Sequence, residues 1–238
     1  MTDSKPVTGK LALVTGASRG IGAATAEALA AAGAHVILVA RTATALEDVE
    51  DRIHAAGGSA TIAPLDLTDG ESIGKLAGAV AERWEKLDVL GLNAAMLGSL
   101  TPVQDIDPKE YSRLLSLNLL ANQALIAAFD PLLKRAQQAD IVALTSSVGD
   151  EPRAFWGAYG SSKAALEILL GAYADETAYL GRVRVHIVDP GATRTRMRAL
   201  AFPGEEPDSV KPPEVVASAI LKRLTAQAPT GEKVRVEA

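Results

Sequence analysis

At 238 residues, 48% of them hydrophobic, the chain is long enough to bury one α/β core and reads as a single domain over residues 1–238. A net charge of −5 offers no attraction for nucleic acid or an anionic membrane, and the absence of cysteine excludes disulfides, thiolate nucleophiles and cysteine metal sites. The histidines His35, His54 and His186 show no ligand spacing, so no metal is expected; without an apolar leader or a membrane-long apolar run, the expectation is a soluble, cytoplasmic chain whose residues 1–8 form a flexible N-terminus.

The first apolar run, Leu11–Thr15, predicts a strand, and an alanine-rich helical pattern over Gly20–Ala32 follows, with Gly33 just beyond. Strand His35–Ala40 leads to helix Ala43–Ala56 and Gly57, and strand Ala60–Pro64 to helix Glu71–Trp84. Then come strand Val89–Asn93, a long helix Pro108–Arg135, strand Ile141–Thr145, helix Tyr159–Leu180 with Gly181 beyond it, strand Val183–Val188, helix Pro213–Gln227 and strand Lys233–Val236. Strict alternation of short β-branched runs with helices predicts βαβ units, because parallel strands need a crossover. The fold class is therefore α/β, a doubly wound parallel sheet of about seven strands with helices on both faces. The segment 192–212, rich in Arg, Pro, Gly and Glu, is long for a connection and reads as a lid over the substrate or as a surface loop.

Directly after the first strand, "LALVTGASRGIG" places Gly16, Gly20 and Gly22 in a turn that opens a helix. Such glycines allow a tight turn and a close approach of backbone to a pyrophosphate, and the free N–H groups of the helix start favour an anion. The spacing T-G-x-x-x-G-x-G, with Asp66-Leu67-Thr68, Asn93-Ala94-Ala95, Ser146, Tyr159-Gly160-Ser161-Ser162-Lys163 and Pro190-Gly191-Ala192-Thr193-Arg194-Thr195, resembles the compact form of the short-chain dehydrogenase/reductase family, a Rossmann fold, over roughly residues 10–195. The nearest likeness by eye is to bacterial 3-oxoacyl-carrier-protein-reductase-like members. The resemblance implies a dinucleotide held by Gly16, Ser18, Arg19, Gly20, Ile21 and Gly22, by Asp66 and Leu67 at the adenine, by Asn93, Ala94 and Ala95, by Tyr159 and Lys163, and by Pro190, Gly191, Thr193 and Thr195 at the nicotinamide. Each of these stretches begins where a predicted strand ends, so a doubly wound sheet gathers them at one edge. Leu92 and Ala95 depart from the family's N-N-A-G, and Ala95 restricts the backbone wherever a positive φ is needed.

The second strand bears on the cofactor. Where a binder of the unphosphorylated dinucleotide usually carries an acid, this chain has Ala40 followed by Arg41, and an arginine fork suits a 2′-phosphate. Arg19 adds a second cation, so NADP(H) is the expected cofactor; the bland alternative is two solvated surface arginines. Tyr159 and Lys163 lie one helical turn apart on one face, and an ammonium there is expected to lower the phenol's pKa, making Tyr159 a general acid for reduction and base for oxidation. Ser146 is selected over Ser147 by the family spacing, as the group that holds the substrate oxygen. Asn118 sits on an apolar helical stretch and matches the family residue that completes a proton relay with the lysine.

These features imply an NADP(H)-dependent oxidoreductase acting on a small carbonyl or alcohol, an apolar ketone or 3-oxoacyl compound, with Met96, Trp156 and Phe202 among the pocket walls. Glu205, Glu206 and Asp208 are expected to cancel Arg194, Arg196 and Arg198. The family implies a homodimer or homotetramer built on the helices starting at Pro108 and Tyr159, where Leu166, Leu169, Leu170 and Tyr173 form an apolar stripe that suits an interface or the core. Two other readings stay open: a dinucleotide-binding sensor or scaffold without turnover, and a methyltransferase on a similar sheet, which would have no use for the Tyr159–Lys163 pair.

Overall fold

A computed structural model describes residues 5–226 and 228–237; residues 1–4 of the N-terminal stretch and Gln227, the last residue of the expected final helix, lie outside the described residues. The chain runs β1 (Leu11–Thr15), α1 (Gly20–Ala31), β2 (His35–Ala40), α2 (Ala43–Ala55), β3 (Ser59–Pro64), α3 (Gly70–Arg83) and β4 (Val89–Leu92). It continues through α4 (Pro108–Leu115), α5 (Ala121–Leu133), β5 (Ala139–Leu144), α6 (Gly157–Thr177), β6 (Val183–Asp189), α7 (Arg196–Ala201), α8 (Pro213–Thr225) and β7 (Lys233–Arg235). All seven strands are parallel, in the order β3-β2-β1-β4-β5-β6-β7. The chain winds outward from β1 to β3, returns to β4 beside β1, and winds outward again, which opens a crevice between the β1 and β4 ends.

Alternation along each strand builds a core on both sides of the sheet. Leu11 and Leu13 of β1 join Leu90, Leu125, Phe129, Leu166 and Leu170 on the face covered by α3, α5 and α6. Ala12 and Val14 join Leu29, Leu46, Val216 and Ile220 on the face covered by α1, α2 and α8. Each fully buried Leu or Phe contributes about 1.5–3 kcal/mol of transfer free energy, so the two faces together anchor the sheet edge that carries the site.

Two expectations change, for the long helix and the N-terminal stretch, and two are refined. The helix expected over 108–135 is α4 and α5 joined by a π-helical turn, Ser116–Leu120, centred on Asn118. Segment 192–212 holds α7 and a 3-10 turn at Pro207–Ser209, so it is structured. In the N-terminal stretch Val7 is buried and its N–H bonds Ala32 O at 3.1 Å, which ties down the described residues 5–8. Of the α6 stripe, Leu166 and Leu170 are core while Leu169 and Tyr173 are partly buried against it; Ile168 is the exposed large apolar residue of that helix.

Candidate active site

At the β1–β4 crevice the glycine turn is shaped by its neighbour strand. Thr15 Oγ1 donates to Gly91 O (3.0 Å) and accepts from the N–H groups of Asn93 and Ala94 (3.0 and 3.1 Å). The Asn93 amide in turn donates to Thr15 O and Gly16 O. A Cβ on Gly16, whose φ is +64°, would stand 2.8 Å from Asn93 Nδ2, and one on Gly22 would stand 2.3 Å from both Asn93 Nδ2 and Gly16 O. Close packing of the turn on β4 therefore removes these two side chains before any ligand is considered. The departures at Leu92 and Ala95 cause no strain: Leu92 is buried in the core, and Phe155 is the one non-glycine with positive φ among the described residues.

The start of α1 is open. Among its first residues no side chain caps the helix and no acid occupies the first turn, so its N–H groups and positive dipole end face outward. By contrast Asp69 caps α3, Asp107 caps α4 and Thr195 caps α7. Arg19 and Arg41, both exposed, have no acid partner among the described residues. Asp66 is near Arg41: its Oδ1 accepts the N–H and hydroxyl of Thr68, which, with help from Arg41, holds its carboxyl below the usual range. Leu67 points into the core, so only its backbone is available to a ligand. Thr195 Cγ2 would lie 3.4 Å from a Cβ on Gly20, which brings the segment after β6 over the glycine turn, and Ser18 and Ile21 flank that turn. Within the same segment Thr193 donates to Pro190 O (3.0 Å), and Gly191 at φ +61° bonds Asp189.

The candidate reacting groups stand beyond β5. Ser146 follows that strand, half-buried, and Tyr159 and Lys163 project from α6. Lys163 is 3% exposed; its Nζ donates to Leu144 O (2.8 Å) and lies 5.7 Å from the Tyr159 ring centre. Among the described residues neither the Ser146 nor the Tyr159 hydroxyl has a hydrogen-bond partner. Burial pulls Lys163 down to about 8, against the counter-pull of Glu167. Burial also pushes the Tyr159 phenol up, and Asp189 adds to this. In the cofactor-free chain the direction is thus opposite to the lowering expected from the ammonium, because loss of hydration and Asp189 dominate at the phenol.

Asn118 is fully buried in the π turn, and its side chain is taken up inside the protein. Its Oδ1 accepts from Met96 N (2.9 Å), and its Nδ2 donates to Met96 O (2.9 Å) and Ser162 Oγ (3.1 Å). Ser162 passes the link on to Tyr159 O at 2.7 Å. Asn118 therefore ties the loop after β4 to the helix carrying Tyr159 and Lys163. Sequence reasoning passed over Ser162 and Gly160, whose missing Cβ would stand 2.7 Å from Val148 O; the signal was their place between Tyr159 and Lys163.

An aromatic wall flanks the phenol. Trp156 meets Tyr159 edge-on at 6.0 Å and packs on Phe202 of the 192–212 segment at 5.8 Å, while the Arg198 guanidinium lies 3.7 Å over Phe202. Arg198 pairs with Glu205, and Arg194 with Asp208, as expected for a charge-balanced segment.

Comparison with known proteins places this geometry. The profile of the family described as short chain dehydrogenase matches residues 10–206. The oxidoreductase YciK of Escherichia coli is 38% identical over 207 residues, 86% of this chain and 81% of that protein. A short chain dehydrogenase structure from Pseudomonas syringae superposes with a TM-score of 0.94 at 38% identity, covering 100% of this chain and 98% of that one. Another, from Escherichia coli CFT073 and complexed with NADPH, gives 0.91 at 35% identity over 99% of this chain and 100% of the other. The chain, with its seven parallel strands, its open glycine turn at the switch point and its Tyr159–Lys163 pair beyond β5, belongs to the short chain dehydrogenase family of oxidoreductases.

Proposed function

We propose that the protein is an NADP(H)-dependent reductase or dehydrogenase that interconverts a carbonyl and a secondary alcohol, with Ser146, Tyr159, Lys163 and Asn118 as its working residues. The observation that carries this reading is the pair of unpartnered hydroxyls, Ser146 and Tyr159, beside a buried lysine at the same sheet edge as an uncapped helix flanked by two unpaired arginines. The residues present fit the cofactor. The open start of α1 suits a pyrophosphate, and Arg19 and Arg41 suit the additional 2′-phosphate. Ser18, Ile21, Asn93, Ala94 and Ala95 would line the cofactor's path, with Pro190, Gly191, Thr193 and Thr195 at its nicotinamide end. That the solved Escherichia coli CFT073 relative is complexed with NADPH supports the same choice.

When bound, the cofactor supplies the two electrons of the reduction as a hydride to the carbonyl carbon. Ser146 holds the carbonyl oxygen and stabilises the negative charge growing there. Tyr159, whose raised pKa keeps it protonated at neutral pH, gives its proton to that oxygen. Lys163 as the ammonium favours the resulting phenolate; since burial brings it to about 8, reduction is expected to fall off as the pH rises through that value. Asn118 keeps Met96 and α6 in register, so that these groups stay aligned. The Trp156–Phe202 wall favours an apolar ketone or 3-oxoacyl substrate over a charged one. Segment 192–212 acts as the lid. A homodimer or homotetramer joined through α4–α5 and α6, where Leu120 and Ile168 are exposed, completes the proposal, and sedimentation tests it.

The experiment is NADPH oxidation with a panel of apolar ketones, aldehydes and acyl thioesters. Tyr159→Phe is expected to lower turnover by about 10²-fold or more while NADPH affinity stays within about twofold. Turnover that survives the change overturns the assignment, and NADPH binding without turnover of any carbonyl returns the chain to the sensor reading.

A further inference from the structure

One turn beyond Lys163 on α6 stands Glu167, a carboxylate with only 12% of its side chain exposed. Its Oε1 and Oε2 are 2.8 and 3.0 Å from Lys233 Nζ, and Oε1 also accepts from the Thr145 hydroxyl. Lys233 comes from β7, the edge strand, and bonds the Asp150 carboxylate as well as Ser146 O at 3.4 Å. Together with the Lys163 bond to Leu144 O, α6 thus grips three consecutive residues at the end of β5: Leu144 through Lys163, Thr145 through Glu167, and Ser146 through the lysine that Glu167 holds. The fit is close, since a Cβ on Gly149 would stand 2.8 Å from Glu167 Oε1.

We propose that Glu167 is a positioning residue of the site, which with Lys233 and Asp150 fixes Ser146 relative to Tyr159 and sets the charge around Lys163. The proposal rests on the reading of Ser146, Tyr159 and Lys163 given above and deepens it. A mostly buried carboxylate persists only when paired, and Lys233 supplies the pair. Two carboxylates share this one cation, so the cluster keeps a net negative charge one turn from the buried Lys163 ammonium. Burial works against the Lys233 ammonium, but Asp150 and Glu167 outweigh it and raise its pKa, so Lys233 stays an ammonium through neutral pH. Lys233 likewise holds the Asp150 carboxyl below its usual range.

The other charged groups around α6 are placed differently. Asp189 at the end of β6 acts on Tyr159 and has Arg235 of β7 at 3.9 Å and Lys211 nearby. Arg184 and His186 of β6 bond Asp140, and on the α4 side Tyr111 bonds Ser161. Glu167 is the anion that acts on Lys163 directly.

Removing Glu167 as Glu167→Gln takes away the anion that favours the ammonium, so Lys163 loses its proton at lower pH. Removing the shared cation as Lys233→Met leaves Lys163 as the cation that Glu167 must pair with, so Lys163 holds its proton to higher pH. Each midpoint is expected to move by about one pH unit, in opposite directions, with the double variant between them and Lys233→Arg near wild type. The measurement is the ¹³Cε shift of Lys163 against pH in the cofactor-free chain, assigned by the signal lost in Lys163→Arg. A second reading is the alkaline limb of carbonyl reduction with NADPH.

A purely structural role would lower the melting temperature without separating the two midpoints. Midpoints that stay in place, or that move the same way in both single variants, overturn the proposal. Should Glu167→Gln fail to fold, Lys233→Met against Lys233→Arg still decides it, because only the former is expected to shift. Failure of the underlying reading shows elsewhere, as turnover retained in Tyr159→Phe.

Discussion

The two rims of the sheet treat polar groups in opposite ways. At the rim where the strands begin, acids are closed off inside the protein. Asp88 accepts Leu11 N (2.9 Å) and Lys86 (2.8 Å), and Asp140, fully buried, accepts Arg184 Nε and His186 Nε2 on its Oδ1, both at 2.8 Å, while its Oδ2 is buried without a partner among the described residues. His186 then accepts from Arg223, which pairs with Glu232. A cleft of about 290 Å³ opens at this rim beside Lys5, Lys10 and Trp84, but its His35 already bonds Ser59 and Thr61. At the rim where the strands end, Arg19, Arg41, the Ser146 and Tyr159 hydroxyls and the start of α1 are left without partners among the described residues. What separates the rims is access rather than satisfaction alone: Asp140 Oδ2 lacks a partner but is sealed inside the protein, whereas the exposed arginines and the half-buried Ser146 are within reach of a ligand.

The comparison breaks most visibly if Ser146 turns out to be structural. Its hydroxyl has no internal partner, so Ser146→Ala is expected to cut turnover by about 10²–10³-fold, on the scale of removing one oxyanion donor, with no measurable change in melting temperature. The opposite pattern is expected at the other rim. Asp140→Ala strands Arg184 and His186 beside an apolar core, costing about 3 kcal/mol, or about 6–12 °C in melting temperature, with kcat unchanged in the folded fraction. Burial opposes the Asp140 charge, but His186 and Arg184 outweigh it and hold the carboxyl below its ordinary value. Its contribution is therefore complete above the unfolded pKa of about 4 and is lost as the pH falls through the folded value; the stability gap between wild type and Asp140→Ala should close in acid denaturation. A gap that persists at low pH would place the cost in packing instead.

Most of the fold was legible because strands buried on both faces read as unbroken apolar runs, as Val36–Val39 and Ile141–Leu144 do, and because Gly33, Gly57 and Gly181 mark helix ends. Site placement followed from topology, since every motif begins at a strand end. The π turn was not legible: Ser116–Leu120 has the composition of the helix around it, and only the buried Asn118 marks it. The direction of the Tyr159 shift was also hidden, because helical spacing gives the neighbour on the same face but not the depth of burial. The Glu167–Lys233 pair joins residues 66 apart through β7, so no local pattern announces it. Phe155 at φ +72°, held by Thr101 N to its carbonyl at 3.1 Å, likewise shows only in the fold.

Arg41 sharpens the comparison at intermediate scale. As a cation without an internal partner it is free to bond the 2′-phosphate, and one charge-assisted bond is worth about 1.5 kcal/mol or more. Arg41→Ala is expected to weaken NADPH by about tenfold or more and NADH by less than about twofold, read as dissociation constants from the quenching of intrinsic fluorescence. Equal losses for the two would remove Arg41 from phosphate recognition.

The smallest effect tests the rule from within the open rim itself. Thr193 stands among the groups lining the cofactor path, yet it is 3% exposed and its single hydroxyl hydrogen is directed to Pro190 O at 3.0 Å, with Gly191 O at 3.3 Å. Judged by position it belongs with the ligand-binding groups; judged by satisfaction it belongs with the closed network, as a turn-maker that shapes the loop after β6. Thr193→Val keeps the shape and removes that bond, so the closed-network reading expects a loss of about 1 kcal/mol, or about 2–4 °C in melting temperature, with NADPH affinity within about twofold. A weakened NADPH complex at unchanged melting temperature would show that satisfaction inside the ligand-free fold does not separate the two kinds of residue, and that the hydroxyl turns from Pro190 to the cofactor on binding.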